Sequence, residues 1–77
     1  MENIKLYYME RCPFCIKVRK FMEENGIEVE MVDINADPKN KENLVTLGGK
    51  VQVPCLDLNG TALYESGDII QWFKDNK

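Results

Sequence analysis

Ile4-Lys5-Leu6-Tyr7-Tyr8-Met9-Glu10-Arg11-Cys12-Pro13-Phe14-Cys15 is an apolar, aromatic run followed by a Cys-x-x-Cys that opens a helical pattern. Ile4 to Tyr8 has the composition of a strand. Met9-Glu10-Arg11 is then the loop that lifts Cys12 to the strand's carboxyl end. A cysteine at a helix start faces backbone N–H groups with no intrahelical partner and the positive end of the helix dipole. Both favour a sulfur anion, the form that attacks. Pro13 suits the first helical position, where its fixed φ is helical and its missing N–H would be an orphan anyway. Cys15 follows one turn on, on the same side, so the pair can close a small disulfide and reopen it. Glu10 and Arg11 flank the sulfur with opposite charges. Each is worth on the order of 1 kcal/mol at about 4 Å in water and they roughly cancel, which leaves the helix terminus as the deciding influence.

Three blander readings compete with redox chemistry. Tetrahedral zinc takes four ligands; the chain has no His and only Cys55 beyond the pair, so a carboxylate would have to make up the number. A static disulfide across so short a loop would restrain the unfolded chain little. Two ordinary buried thiols would account for the cysteines as small hydrophobes. The intervening Pro and the strand-then-helix setting favour the redox reading.

The chain has 77 residues, enough for a single domain over 1–77 near the lower end of what folds without staples. Its hydrophobic share of 44% and charged share of 30% describe an ordinary globule. A net charge of −3 lacks the basic stripe a nucleic-acid surface needs. No apolar run approaches the roughly 20 residues that span a bilayer. Met1-Glu2-Asn3-Ile4-Lys5 has neither the basic nor the apolar region of a secretory signal. The expected compartment is a reducing cytoplasm, where Cys-x-x-Cys is catalytic or metal-binding more often than structural. Without His, no side chain titrates unperturbed near neutrality, so an activated nucleophile must rely on backbone, dipole and cations.

From Pro13 to about Asn25, Phe14, Val18, Phe21 and Met22 form an apolar stripe at helical spacing, and Gly26 is a natural residue just past the end. Lys17 and Arg19 lie off that stripe; Arg19 reads as part of a solvated face. Ile27 to Ile34 suits a second strand. Asp37 and Pro38 open a second helix as N-cap and first residue, which runs through Leu44, Val45 and Leu47 to Gly48-Gly49. Val51 to Leu58 reads as a third strand, Asn59-Gly60 as a tight hairpin turn, and Thr61 to Tyr64 as the return. Glu65-Ser66-Gly67-Asp68 starts a last helix, with Ser66 as N-cap, Asp68 in the first turn, and Ile69, Ile70, Trp72 and Phe73 on its apolar side. The expected architecture is α/β: a four-stranded mixed sheet with three helices on its two faces, in the order β-α-β-α-β-β-α.

Cys12-Pro13-Phe14-Cys15, Val53-Pro54 before the hairpin, Asn59-Gly60 and Glu65-Ser66-Gly67-Asp68 together resemble a glutaredoxin of the thioredoxin superfamily, over essentially the whole chain. The resemblance implies a thioredoxin-like fold and a redox-active Cys12–Cys15 disulfide, with Cys12 attacking and Cys15 resolving. It implies a cis-proline at Pro54, with Val53 offering its backbone to glutathione, and Ser66, Gly67 and Asp68 holding the γ-glutamyl end. Strand-like pairing, a helix N-terminus and a carboxylate are the groups that would take such a peptide. An edge-strand proline and plain helix capping are the ordinary alternatives for Pro54, Ser66 and Asp68. Many glutaredoxins carry Lys where this chain has Met9, leaving Arg11 or Lys50 to meet the glutathione carboxylate. Gln52 stands where Thr is usual and can still hydrogen-bond. Phe14 and Tyr8 would cover the sulfur with apolar surface, and the resemblance places Phe14, with Gln52 and Pro54, among the glutathione-binding residues. Cys55 is off the family pattern and reads as a core filler.

The function so implied is glutathione-dependent reduction of protein disulfides and glutathione mixed disulfides by thiol–disulfide exchange. Glutathione is then a co-substrate, no metal or organic cofactor is required, and the chain is expected to act as a monomer on disulfide-bearing or glutathionylated proteins. The alternatives are a thioredoxin-like carrier reduced by a flavoprotein reductase, an iron–sulfur cluster shared by two chains through Cys12 and glutathione, and a glutathione-transferase-like half that binds the tripeptide without exchange.

Overall fold

The computed structural model describes residues 3–76. Its elements are β1 (Ile4–Tyr8), α1 (Pro13–Glu24), β2 (Glu30–Asp33), α2 (Pro38–Gly48), β3 (Cys55–Leu58), β4 (Ala62–Tyr64) and α3 (Ser66–Asn76). The order is the expected β-α-β-α-β-β-α. The sheet runs β2-β1-β3-β4, with β1 and β2 parallel and the other two pairings antiparallel.

Side-chain alternation in the central strands divides the interior into two cores. Leu6 pairs with Leu56 across β1 and β3, and both point to the face covered by α1 and α3, where they pack with Val18, Met22, Ile69 and Phe73. Tyr7 pairs with Cys55 and faces the other way, against Leu44 of α2 and Ile34. Each large apolar side chain so buried contributes about 1.5–3 kcal/mol before chain entropy is counted.

Local chemistry sets the helix ends. Asp37 caps α2, its carboxylate accepting from the Lys39 N–H at 2.9 Å, and Pro38 is the first helical residue. Gly49 ends α2 with φ 82°, a left-handed conformation that a Cβ would disfavour. The β3–β4 turn needs positive φ at both central residues; Asn59 and Gly60 supply 55° and 102°.

Four expectations need correction. The strand expected over Ile27–Ile34 is ordered only at Glu30–Asp33, because β2 is an edge strand whose one partner, β1, offers Lys5 to Tyr8 for pairing. Ile27 and Val29 serve the α1–α3 core as packing residues instead. The strand expected from Val51 begins at Cys55, since Pro54, whose bond to Val53 is cis, has no N–H for a ladder. Phe14 leaves the α1 stripe and is 63% exposed, while Cys15, Val18 and Met22 form its buried face. Ser66 is the first residue of α3, not its cap; Glu65, at φ 69°, precedes it and its carbonyl accepts from the Ile69 N–H at 3.0 Å.

Candidate active site

The site lies where β1 ends. Cys12 is the N-cap of α1 in extended conformation, and its Sγ accepts from the Cys15 N–H at 3.4 Å. Its own N–H donates to the Met9 carbonyl at 3.3 Å, which closes the loop that raises it. The same sulfur is 3.9 Å from the Val53 carbonyl oxygen, a weak S–H contact to the segment before β3. The helix start and the cis-proline turn, 41 positions apart in sequence, therefore meet at one thiol.

The two cysteines of the motif occupy different environments. Cys12 is half-buried, whereas Cys15 is 0% exposed. Burial is the main cause that pushes the Cys15 thiol up from 9.0 to about 12, with the neighbouring Cys12 adding to it and Arg19 opposing. Cys55 is 0% exposed in the α2-side core, and burial pushes it up to about 11, with Asp57 adding to it. Both are neutral thiols at neutral pH. Arg19 lies with its guanidinium 4.7 Å from the Tyr8 ring centroid, a cation–π contact rather than a purely solvated position.

Phe14, Gln52, Val53, Pro54, Glu65 and Ser66 line a narrow groove of about 170 Å³ beside Cys12. Five of the expected glutathione residues thus come together: Phe14, Gln52, Val53, Pro54 and Ser66. Gly67 and Asp68 follow Ser66 on the first turn of α3 without lining that groove. Arg11 stands apart, in the wall of a second hollow of about 500 Å³ with Met9, Glu10, Cys12, Pro13, Asp33 and Asn35. Lys50, the alternative to Arg11, lines neither of these two hollows; its Nζ is 4.4 Å from the Tyr64 ring centroid. The structure adds one participant that sequence reasoning treated only as a helix opener: Glu65, whose Oε1 accepts from Gln52 Nε2 at 3.3 Å and ties the cis-proline segment to the start of α3. Nothing in the local sequence signals a contact across 13 positions. Among the described residues no three His, Cys, Asp or Glu side chains converge as metal ligands, and no helix is long and apolar enough to cross a membrane.

What this arrangement can do is nucleophilic sulfur chemistry. It has an accessible sulfur fed by a helix N–H, a protonated thiol one turn behind it, and beside both a groove walled by the Val53–Pro54 segment and a helix start.

A family model described as the glutathione S-transferase N-terminal domain matches residues 6–77. Among curated proteins, an uncharacterised glutaredoxin-like 8.6 kDa protein of Clostridium pasteurianum is 27% identical over 60 residues, 78% of this chain and 80% of that one. Glutaredoxin 3 of Escherichia coli is 24% identical over 54 residues, 70% of this chain and 65% of that protein, so the match spans just under two thirds of the relative. Among solved structures, glutaredoxin 2 of Salmonella typhimurium in complex with glutathione superposes with a TM-score of 0.76 at 32% identity, over 95% of this chain and 33% of that one. The chain belongs to the family of the glutathione S-transferase N-terminal domain, as a glutaredoxin-type member of the thioredoxin superfamily.

Proposed function

We propose that the chain is a glutathione-dependent thiol–disulfide oxidoreductase working through Cys12 and Cys15. The observation that carries this reading is the asymmetry of the pair: Cys12 is reachable and accepts the Cys15 N–H, while Cys15 is sealed from solvent and held protonated. In the first step the Cys12 sulfur attacks the glutathionyl sulfur of a mixed disulfide. A Cys12–glutathione disulfide forms, the old S–S bond breaks, and the substrate thiolate leaves and takes a proton. A second glutathione then attacks the glutathionyl sulfur, and glutathione disulfide departs with the two electrons' worth of oxidation. With a protein disulfide, Cys15 attacks Cys12 instead after giving up its proton, and the resulting Cys12–Cys15 disulfide is reduced by two glutathiones.

Glutathione would lie extended in the groove of Val53 and Pro54, pairing with the Val53 backbone as an added strand does. Its γ-glutamyl end would sit at the start of α3 with Ser66, Gly67 and Asp68. A neighbour solved with glutathione bound, and the family match, support this placement. The family match also keeps in view a transferase-like module that binds glutathione without exchange; the thiol of Cys15 directly behind Cys12 favours the exchange reading. The same reading has the chain working as a monomer in the cytoplasm.

Cys12→Ser is expected to abolish turnover of a glutathione mixed disulfide in a coupled glutathione-reductase assay. Cys15→Ser is expected to retain a substantial share of it while losing protein-disulfide reduction. The reverse pattern would overturn the roles, and activity with a flavoprotein thioredoxin reductase but none with glutathione would move the chain to the carrier class.

A further inference from the structure

The 500 Å³ hollow is separate from the 170 Å³ groove proposed for the glutathione strand, yet Cys12 is in its wall. The sheet order explains its position. The 170 Å³ groove lies on the β3 side of β1, at Val53 and Pro54. The hollow lies on the β2 side, between the Met9–Arg11 loop and the Asp33–Asn35 segment that follows β2. Cys12, at the end of β1, stands between them. Exchange at this sulfur needs room for two thiol-bearing chains at once, because the attacked and the leaving sulfur are bonded until the step is complete. In the exchange reading the groove at Val53 and Pro54 is taken by the glutathione half. The chain attached to the leaving sulfur therefore needs another surface at Cys12.

We infer that the hollow lined by Met9, Glu10, Arg11, Cys12, Asp33 and Asn35 is the subsite for the polypeptide half of the substrate, and that it favours a Lys- or Arg-bearing segment next to the substrate's cysteine. This rests on the exchange reading given above. The preference follows from charge: two carboxylates, Glu10 and Asp33, stand against one guanidinium, Arg11. Asp33 is fixed for the purpose. One carboxylate oxygen accepts from the Asn35 N–H at 2.9 Å, and its backbone carbonyl accepts from Asn40 Nδ2 at 2.9 Å, which pins the segment to α2. The other carboxylate oxygen has no partner among the described residues and can take a substrate cation. Met9, half-buried with a flexible thioether, supplies an adaptable apolar floor. Glutathione alone, with no flanking chain, would leave the hollow open.

The test compares two short peptides glutathionylated at one cysteine, flanked by Lys in one and by Glu in the other, with the glutathione–mercaptoethanol mixed disulfide as a substrate that has no flanks. At low salt kcat/KM is expected to be higher for the Lys peptide by about threefold or more, the scale of one or two exposed ion pairs. The ratio should shrink as ionic strength rises. Glu10→Gln with Asp33→Asn should bring it close to one; Asn at 33 keeps the oxygen that accepts from Asn35. Reading the ratio within each variant cancels any change in Cys12 reactivity. A ratio near one in the unaltered protein, or one that survives the double substitution, overturns the inference. Absence of turnover with the mercaptoethanol substrate overturns the exchange reading instead, and a binding measurement then decides the subsite. In that measurement peptides with Ser in place of Cys are titrated into the reduced protein. The Lys peptide should shift the amides of Met9 to Arg11, Asp33 and Asn35 well before the Glu peptide does; shifts located elsewhere, or equal for both, overturn the subsite.

Discussion

Cys12 and Cys15 are three residues apart and differ in almost everything that governs a thiol. One is half-buried at a helix start; the other is shut in the core with its proton held to about 12. A rise from 9.0 to about 12 leaves roughly a thousandfold less thiolate at neutral pH than an ordinary cysteine has. Cys55, raised to about 11 in a different core, is similarly inert. Alkylation of the reduced protein near neutral pH should therefore mark Cys12 first, with Cys15 and Cys55 reacting only through global unfolding. A mass-spectrometric time course of the three cysteine peptides measures this, and equal labelling would refute it. The sequence made the position of Cys12 legible, since Pro13 and the preceding strand fix it at the helix start. Phe14 carried two expectations: helical spacing put it on the apolar stripe and the family resemblance put it at the site, and its exposed position in the groove wall agrees with the second.

At the level of elements, the helix and turn boundaries were readable where a single residue dictates the backbone: Asp37 and Pro38 before α2, Asn59-Gly60 between β3 and β4. Strand lengths were not readable. Alternation in Ile27–Ile34 says that a segment can pair, while the number of residues that do pair is set by β1, a partner elsewhere in the chain. Glu65 illustrates the same limit, since a positive φ at a glutamate is imposed by the turn from β4 into α3 and its hydrogen bond to Gln52 is long-range. The packing of α2 on β4 depends on Gly48. A Cβ there would collide with the Tyr64 hydroxyl and stand 2.8 Å from its ring. That hydroxyl is itself buried, with Lys50 over the ring. Gly to Ala inside a helix ordinarily gains about 0.5–1 kcal/mol; here overpacking at about 1–3 kcal/mol outweighs it. Gly48→Ala should lower the urea midpoint, and a raised midpoint would show that Tyr64 moves aside freely.

For the molecule as a whole, the buried thiols link stability to pH. Cys55 belongs to the α2-side core, and Cys15 is buried on α1, the helix that covers the opposite face. Both folded pKa values are raised, to about 12 and about 11 from 9.0. The folded state keeps protons that the unfolded state sheds, so this stability is fully present below about pH 9 and is lost as pH climbs through 11 and 12. Tyr7 and Tyr64, also raised by burial, act in the same direction. The reduced protein should unfold at lower urea concentration at about pH 10.5 than at about pH 8, and Cys55→Ala should weaken that dependence. An unchanged midpoint would mean that the thiols reach water without unfolding.

The sheet's outer margins are brief: β4 has three residues and β2 four, two of the latter being Glu30 and Asp33. A stray extended chain laying itself alongside would find few backbone groups to grip, and on the β2 flank it would meet negative charge. Crowded solutions of this small domain should accordingly resist seeding fibrils, however readily its thiols trade partners.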